Sequence, residues 1–291
     1  MGDLPTPENL ENGRFARTDA YLLVKRIITD RLSMLFQEGG LYGASLYGSA
    51  TNGDIRLGSD IDVMVVPYSV VDCMPEIQKI RSEAEALYVP IEINPLVSVR
   101  QAKKGMHGMD VSFIAYMRKA ITDKTSIGNN PMNVVSPCDV ELPSALEFML
   151  LREEELRRLA RDISTPLFSR SNCKFISRMV NYTLFIPQDI YHAKYGKLPE
   201  EGILTKAELV EVYKKEFPDM KCDALEDTLL FWKETKKIMM QDKINVNEYK
   251  ELLQWFANQY DRIEDFMIQN IELARTIFNE RYDWFKEKGK E

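Results

Sequence analysis

Histidine is scarce in this sequence, which has only His107 and His192 among 291 residues. Histidine is the commonest general acid or base near neutral pH, so its scarcity argues against a histidine-driven mechanism. His192 follows Tyr191 on a predicted helix, a setting typical of a packed or surface histidine. We therefore look to other side chains for the chemistry.

Cysteine is also rare, and its four occurrences are widely separated. They are Cys73, Cys138, Cys173 and Cys222. Zinc sites and disulfide frameworks place cysteines at short, paired spacings, and no such spacing is present. We expect free thiols in the core and no zinc centre.

Long apolar runs are missing, and none approaches the twenty or so residues that a membrane-spanning helix needs. The segment that begins Met1-Gly2-Asp3 has no basic stretch leading into an apolar one, so we expect no secretory signal. These features predict a cytoplasmic protein without a membrane partner.

An excess of basic residues is absent, and the net charge is −7. Residues 1–139 carry 14 basic and 17 acidic side chains, and residues 140–291 carry 24 and 28. Proteins that bind long nucleic acids use lysine and arginine to neutralise phosphates, so this balance argues against such a partner. A cationic small molecule suits an acidic protein better.

The pattern of apolar residues changes near residues 131–143 and divides the chain into two predicted domains. Residues 1–139 combine β-branched runs with helices, whereas residues 140–291 have helical periodicity throughout. The helices predicted in the second part are 145–163, 173–195, 206–217, 223–240 and one long segment from 247 to about 286. The fold class is therefore α/β followed by an all-α bundle.

The sequence around Gly48 and Asp62 carries most of the functional information. Asp60 and Asp62 lie in a β-branched run over 59–67, and residues two apart on a strand share a face. Two such carboxylates repel each other unless a cation lies between them, and Mg²⁺ prefers oxygen ligands. Gly48 and Ser49 follow a short apolar strand over 41–47, where a glycine turn and a hydroxyl favour phosphate binding. The alternative is a surface hairpin whose two aspartates face water.

The stretch from Tyr47 to Asp62, Tyr-Gly-Ser-Ala-Thr-Asn-Gly-Asp-Ile-Arg-Leu-Gly-Ser-Asp-Ile-Asp, resembles the signature of polymerase-β-type nucleotidyltransferases. The similarity is to the minimal and aminoglycoside-adenylyltransferase branches of that superfamily. It implies a mixed sheet flanked by helices, ATP as the nucleoside triphosphate donor and two Mg²⁺ ions. It also implies that Gly48, Ser49 and Ser59 bind the nucleotide and that a neighbouring strand supplies a third carboxylate.

Glu92 matches the position of that third carboxylate. It lies in a second strand-like run over 89–94, which follows a helical pattern over 75–87. The resemblance then implies that Asp60, Asp62 and Glu92 are together the metal ligands and catalytic residues. The alternative is an acid exposed on an edge strand, because Pro90 is typical of an edge or of the start of a strand.

A looser resemblance covers the predicted second domain. The segments over 181–184, 195–199 and 204–208 are similar to the helical domain of streptomycin and spectinomycin adenylyltransferases. The similarity implies that this domain covers the open face of the sheet and that Lys206 contacts the triphosphate. The alternative for Lys206 is a solvated lysine in the first turn of a helix.

These observations predict an Mg²⁺-dependent enzyme that transfers a nucleoside monophosphate, AMP from ATP, to a hydroxyl group. The predicted acceptor is a small molecule such as an aminoglycoside-type antibiotic, which would make the enzyme a resistance factor. Adenylylation of a partner protein by an antitoxin-like enzyme is an alternative, and an inactive nucleotide-binding regulator is another. Arg100 and His107 have the spacing of an Arg…His motif in ribonuclease toxins, which we interpret as coincidence.

Overall fold

The computed structural model describes residues 3–13, 18–52, 55, 58–109, 111–136, 144–163, 166–196 and 204–288. The chain forms two compact units, residues 1–139 and residues 140–291. Within the described residues, no helix combines the length and the apolar character needed to cross a membrane.

The first unit contains a four-stranded mixed sheet with the order β3-β2-β1-β4. The strands are β1 (Leu41–Tyr47), β2 (Ile61–Pro67), β3 (Ile91–Leu96) and β4 (Ser126–Gly128). Strand β1 pairs antiparallel with both β2 and β4, whereas β2 and β3 are parallel. Strand β3 is therefore an edge strand, and it follows β2 through a crossover helix.

The helices of this unit cover both faces of the sheet. They are α1 (Pro7–Glu11), α2 (Thr18–Gln37), α3 (Ser49–Asn52), α4 (Val70–Ala86), α5 (Val99–Lys103) and α6 (Val111–Ala120), with a 3₁₀ turn over Pro131–Asn133. Helices α2 and α4 pack on the face that carries Val63 and Val65 of β2. Helices α5 and α6 pack on the opposite face, against Met64 and Val66. The two-residue period of β2 thus produces two separate apolar cores.

The second unit is entirely helical in its described part. Its helices are α7 (Ser144–Arg161), α8 (Arg170–Tyr195), α9 (Lys206–Glu216), α10 (Asp223–Met239), α11 (Val246–Ala257) and α12 (Tyr260–Lys288). The mixed sheet flanked by helices and the helical second unit confirm the predicted fold class.

Helix α8 is the central element of the second unit, because α7, α9, α10 and α12 all pack on it. Its burial extends to polar residues, and Asp189 forms an ion pair with the buried Arg152 of α7. The Arg152 guanidinium also lies over the rings of Tyr182 and Phe185. Replacing one member of a buried pair leaves the other charge without compensation, which is strongly destabilising.

Local signals set the ends of two helices in this unit. Thr205 and Glu208 form a reciprocal capping box at the start of α9. Gly196 ends α8 in the left-handed conformation, with φ 68°.

The prediction of one long C-terminal helix from residue 247 was wrong. The segment forms two helices, α11 and α12, separated by a turn at Asn258 and Gln259. Phe256 packs on Phe231 of α10, and Tyr260 packs on Phe175 of α8. Apolar periodicity continues through the turn because both helices bury an aromatic face, so periodicity could not reveal the break.

The described cysteines are free, and Cys73 and Cys173 are buried. Burial raises the pKa of the Cys73 thiol to about 11 and that of the Cys173 thiol to about 12. Both thiols are therefore protonated at neutral pH. Cys138 lies outside the described residues.

Candidate active site

Three carboxylates meet at the start of the parallel strands β2 and β3. Asp62 is the second residue of β2 and lies between Tyr47 of β1 and Glu92 of β3 in the strand register. Asp60 immediately precedes β2, on the same face as Asp62. Each of Asp60, Asp62 and Glu92 contributes one carboxylate oxygen to a group of three oxygens that lie within 4.8 Å of one another.

The backbone turn at Gly48 lies directly against this carboxylate cluster. Gly48 adopts φ +65°, and a Cβ atom at this position would collide with Oδ2 of Asp62. Glycine is therefore needed here for two reasons, the left-handed conformation and the close approach of the Asp62 side chain. The turn is closed by the Thr51 N–H and hydroxyl, which donate to the Gly48 carbonyl at 3.2 and 3.0 Å.

The turn and the first aspartate are joined by a hydrogen bond. The Ser49 hydroxyl donates to the Asp60 carbonyl at 3.2 Å, so the two halves of the motif are held together by the serine. The Lys25 ammonium of α2 donates to the Ala50 carbonyl at 2.8 Å and brings a positive charge to the same turn. Lys25 was not among the predicted site residues, because no local pattern connects α2 with residues 25 positions later in the chain.

Asp62 is only 9% exposed. Burial, followed by the negative charges of Asp60 and Glu92, raises the pKa of Asp62 to about 7. A buried carboxylate among like charges is unfavourable in its ionised form, and a nearby cation relieves that cost. The site is therefore electrostatically suited to a positive ion.

Two tyrosines line the same face and were not predicted as site residues. The Tyr47 hydroxyl donates to the Asn94 carbonyl at 2.8 Å, and burial followed by the charge of Asp62 raises its pKa. Burial and Asp62 likewise raise the pKa of Tyr116 on α6. Both phenols stay protonated near neutral pH. Tyr47 directly precedes Gly48, so the pairing of strands β1 and β2 could have predicted that it lies beside Asp62. Tyr116 lies near Asp62 only because α6 packs on this face of the sheet.

The donor set suits a hard divalent cation. Mg²⁺ is bound in proteins by one or two carboxylates together with water and substrate phosphates. Asp60, Asp62 and Glu92 supply oxygen ligands only, and no other such group of three potential ligand residues occurs among the described residues. This chemistry fits Mg²⁺ better than zinc, which favours cysteine and histidine.

The alternatives left open by the sequence are partly realised. Strands β1 and β2 do form an antiparallel pair around the 48–60 connection, but Asp62 is buried and not a solvated hairpin wall. Glu92 is indeed an exposed acid on an edge strand. It nevertheless joins the cluster, because the parallel register places it beside Asp62.

The other predicted residues lie in the following places. Ser59 is buried immediately before Asp60. Lys206 is the first residue of α9, and its ammonium lies 4.7 Å from the Trp232 ring centroid and 5.6 Å from that of Phe185. The Lys206 ammonium therefore makes cation–π contacts, which the alternative of a fully solvated lysine does not include.

Both ring nitrogens of His107 contact main-chain atoms. Its Nε2 is 2.6 Å from the Ser136 carbonyl, and its Nδ1 accepts from the Met109 N–H at 3.2 Å. A carbonyl only accepts, so Nε2 is the donor in the contact with Ser136. His107 is buried, whereas Arg100 is exposed on α5.

No protein-family model matches the chain, and no curated protein matches it either. Among solved structures, the chain is similar to spectinomycin adenyltransferase AAD(9) from Enterococcus faecialis, crystallised with ATP and spectinomycin. The match covers 88% of this chain and 98% of that chain, with a TM-score of 0.46 and 14% sequence identity. The function is therefore inferred from the site's own residues.

Proposed function

We propose that this protein is an Mg²⁺-dependent nucleotidyltransferase that moves a nucleoside monophosphate, AMP from ATP, to a hydroxyl group of a small molecule. The observation that carries the proposal is the cluster of Asp60, Asp62 and Glu92 beside the Gly48 turn. Phosphoryl transfer requires carboxylates that bind Mg²⁺ and a backbone turn that can approach the phosphates. This site offers residues of both kinds, next to each other.

Asp60 and Asp62 are assigned as the shared ligands of two Mg²⁺ ions, and Glu92 as a ligand of the second ion or the proton acceptor. When bound, the ions neutralise phosphate charge and lower the pKa of the acceptor hydroxyl. Glu92 is the exposed member of the cluster and is therefore the carboxylate most accessible to an incoming acceptor.

The Gly48 turn is assigned to the triphosphate. A glycine without a Cβ lets phosphate oxygens approach the backbone N–H groups, and Ser49 and Ser59 add hydroxyls nearby. The Lys25 ammonium at the turn supplies a compact positive charge that complements phosphate.

The roles of Lys206 and of residues 140–291 stay predictions from the sequence. If Lys206 contacts the triphosphate, Lys206→Met will raise KM for the nucleotide and leave the fold intact. If it does not, KM for the nucleotide will be unchanged.

The test is to incubate the protein with Mg²⁺ and each α-labelled nucleoside triphosphate, alone and with aminoglycosides or cell extract. We expect label from ATP to move to a small molecule, with release of pyrophosphate. Mass analysis of the labelled product identifies the acceptor, and a labelled protein would replace the small-molecule acceptor with a protein one.

The matched variants are Asp60→Asn with Asp62→Asn, and Glu85→Gln as a control. Glu85 is an exposed carboxylate on α4, outside the cluster. We expect transfer to be lost in the first variant and retained in the control. Absence of transfer with every triphosphate and extract, despite nucleotide binding, would favour an inactive regulator.

A further inference from the structure

A cleft lies at the end of strands β2 and β3 that is opposite to the carboxylate cluster. It has a volume of about 480 Å³, within the usual range for small-ligand sites. Its lining comes from the segments that leave the two strands: Tyr68, Ser69, Val70, Ser98, Arg100, Gln101, Lys104 and Met106.

The topology of the sheet explains why a cleft forms here. After β2 the chain turns to α4, which packs on the Val63 and Val65 face of the sheet. After the adjacent parallel strand β3 the chain turns to α5, whose Ala102 packs on the opposite face. Neighbouring parallel strands whose connections leave to opposite faces open a crevice at their carboxyl ends, where open α/β sheets bind ligands.

The charge of the cleft is opposite to that of the carboxylate cluster. Arg100 and Lys104 are exposed cations on its wall, and none of its eight lining residues is acidic. Val70 of the lining begins helix α4, whose first turn carries Asp72, a residue that does not line the cleft. These groups favour an anionic ligand.

Hydrogen bonds fix the conformation of residues 98–106, which form one wall of the cleft. The Gln101 side chain accepts from the Ser98 N–H and hydroxyl, each at 3.0 Å, in a reciprocal capping box. Met106 continues the wall, and its N–H donates to the Gln101 carbonyl at 3.0 Å. Tyr68 and Met106 present exposed apolar surface beside the cations.

We propose that this cleft binds a small anionic molecule that carries a phosphate or carboxylate group on an apolar body. Arg100 and Lys104 bind the anion, and Tyr68, Val70 and Met106 contact the apolar part. The site is separate from the carboxylate cluster and does not depend on the proposed transfer reaction.

The test uses phenyl phosphate, benzoate, inorganic phosphate and benzyl alcohol as probes, titrated without Mg²⁺ into the ¹⁵N-labelled full chain. We expect phenyl phosphate or benzoate to shift the amide signals of Val70 and of residues 98–106, with benzyl alcohol at least about tenfold weaker. Tighter binding of phenyl phosphate assigns a phosphate ligand, and tighter binding of benzoate assigns a carboxylate.

Two double variants with equal charge change separate the cleft from general electrostatics. Arg100→Gln with Lys104→Gln should weaken binding at least about tenfold. Lys103→Gln with Arg81→Gln removes two exposed cations that do not line the cleft and should leave the affinity unchanged. Equal weakening in both variants, or equal binding of benzyl alcohol, would overturn the proposal.

Three further outcomes also decide the question. Shifts confined to residues 48–50 would show that the probes bind the turn beside the carboxylates, and the cleft proposal would be wrong. Retention of the cleft shifts in the Asp60→Asn, Asp62→Asn protein would support an independent site. Binding of phosphatidylserine vesicles without binding of any small anion would assign the surface to a membrane instead.

Discussion

The two ends of the parallel strand pair β2 and β3 differ in charge and in burial. At their start, Asp60, Asp62 and Glu92 gather three carboxylates around a partly buried point. Beyond their carboxyl ends, Arg100 and Lys104 line an open cleft on exposed positions. The buried end stores unfavourable electrostatic free energy that a cation can relieve, whereas the exposed end remains hydrated and costs little. The two proposed ligands, a cation and an anion, match these two ends in charge.

Replacing Asp62 should have the largest effect on activity. Removing the proposed metal ligand in Asp62→Asn should lower transfer at least about a hundredfold, because loss of an outer-shell partner alone costs about 10–100-fold. The same change removes a buried carboxyl among like charges, so at pH 8 we expect the thermal midpoint to rise by about 2–4 °C. Calorimetry and the transfer assay measure both.

The matched change at the other end is Arg100→Gln, which we expect to leave transfer and thermal midpoint unchanged. A fall in transfer equal to that of Asp62→Asn would show that the two ends form one functional site.

The Gly48 turn provides the next largest effect. In Gly48→Ala the new Cβ would collide with the Asp62 carboxylate, so we expect transfer to fall at least about tenfold and stability by more than about 1 kcal/mol. Gly39→Ala is the matched control, because Gly39 has φ +79° and a Cβ atom there would have no contact within 4 Å. Gly39→Ala therefore measures only the free-energy cost of placing a Cβ on a backbone with positive φ. Equal losses in both variants would show that contact with Asp62 is unimportant.

Divalent-cation binding should depend on pH at the acidic end. The pKa of Asp62 is raised to about 7 from its ordinary value of 3.8, so the native state holds this proton more tightly than the unfolded state. The contribution of Asp62 to the free energy of unfolding of the metal-free protein should then decrease as pH rises from about 4 to about 7.

Metal binding requires the ionised carboxylate, so Mn²⁺ affinity should rise about tenfold between pH 6 and pH 8 and level off above pH 8. Titration calorimetry at pH 6, 7 and 8 checks this, with Asp62→Asn as the variant that should lose the dependence. An affinity independent of pH would contradict the raised pKa.

The smallest effect is expected at Tyr47. Its hydroxyl donates to the Asn94 carbonyl, and Tyr47→Phe leaves that acceptor without this bond at a cost of about 1 kcal/mol. Chemical denaturation measures the change, and Tyr68→Phe, at an exposed tyrosine of the cleft, is the control. A transfer rate reduced a hundredfold in Tyr47→Phe would instead make Tyr47 part of the chemistry.

The sequence predicted the elements with strong local signals. Strand β1 was predicted at its observed bounds, and the helix predicted from residue 206 begins there, after a capping box of Thr205 and Glu208. The break between α11 and α12 was missed, because two helices that bury aromatic faces in succession have the same period as one.

The sequence by itself determined that Asp60 and Asp62 share one face of a strand next to a glycine turn, because strand geometry is local. Only the tertiary structure decided that Glu92 joins them, because the parallel register of β2 and β3 depends on how α4 returns the chain to the sheet. The burial that raises the pKa of Asp62, and the crevice formed where α4 and α5 leave to opposite faces, also depend on packing. Desolvation and crevices arise from elements distant in the chain, and local sequence patterns carry no information about them.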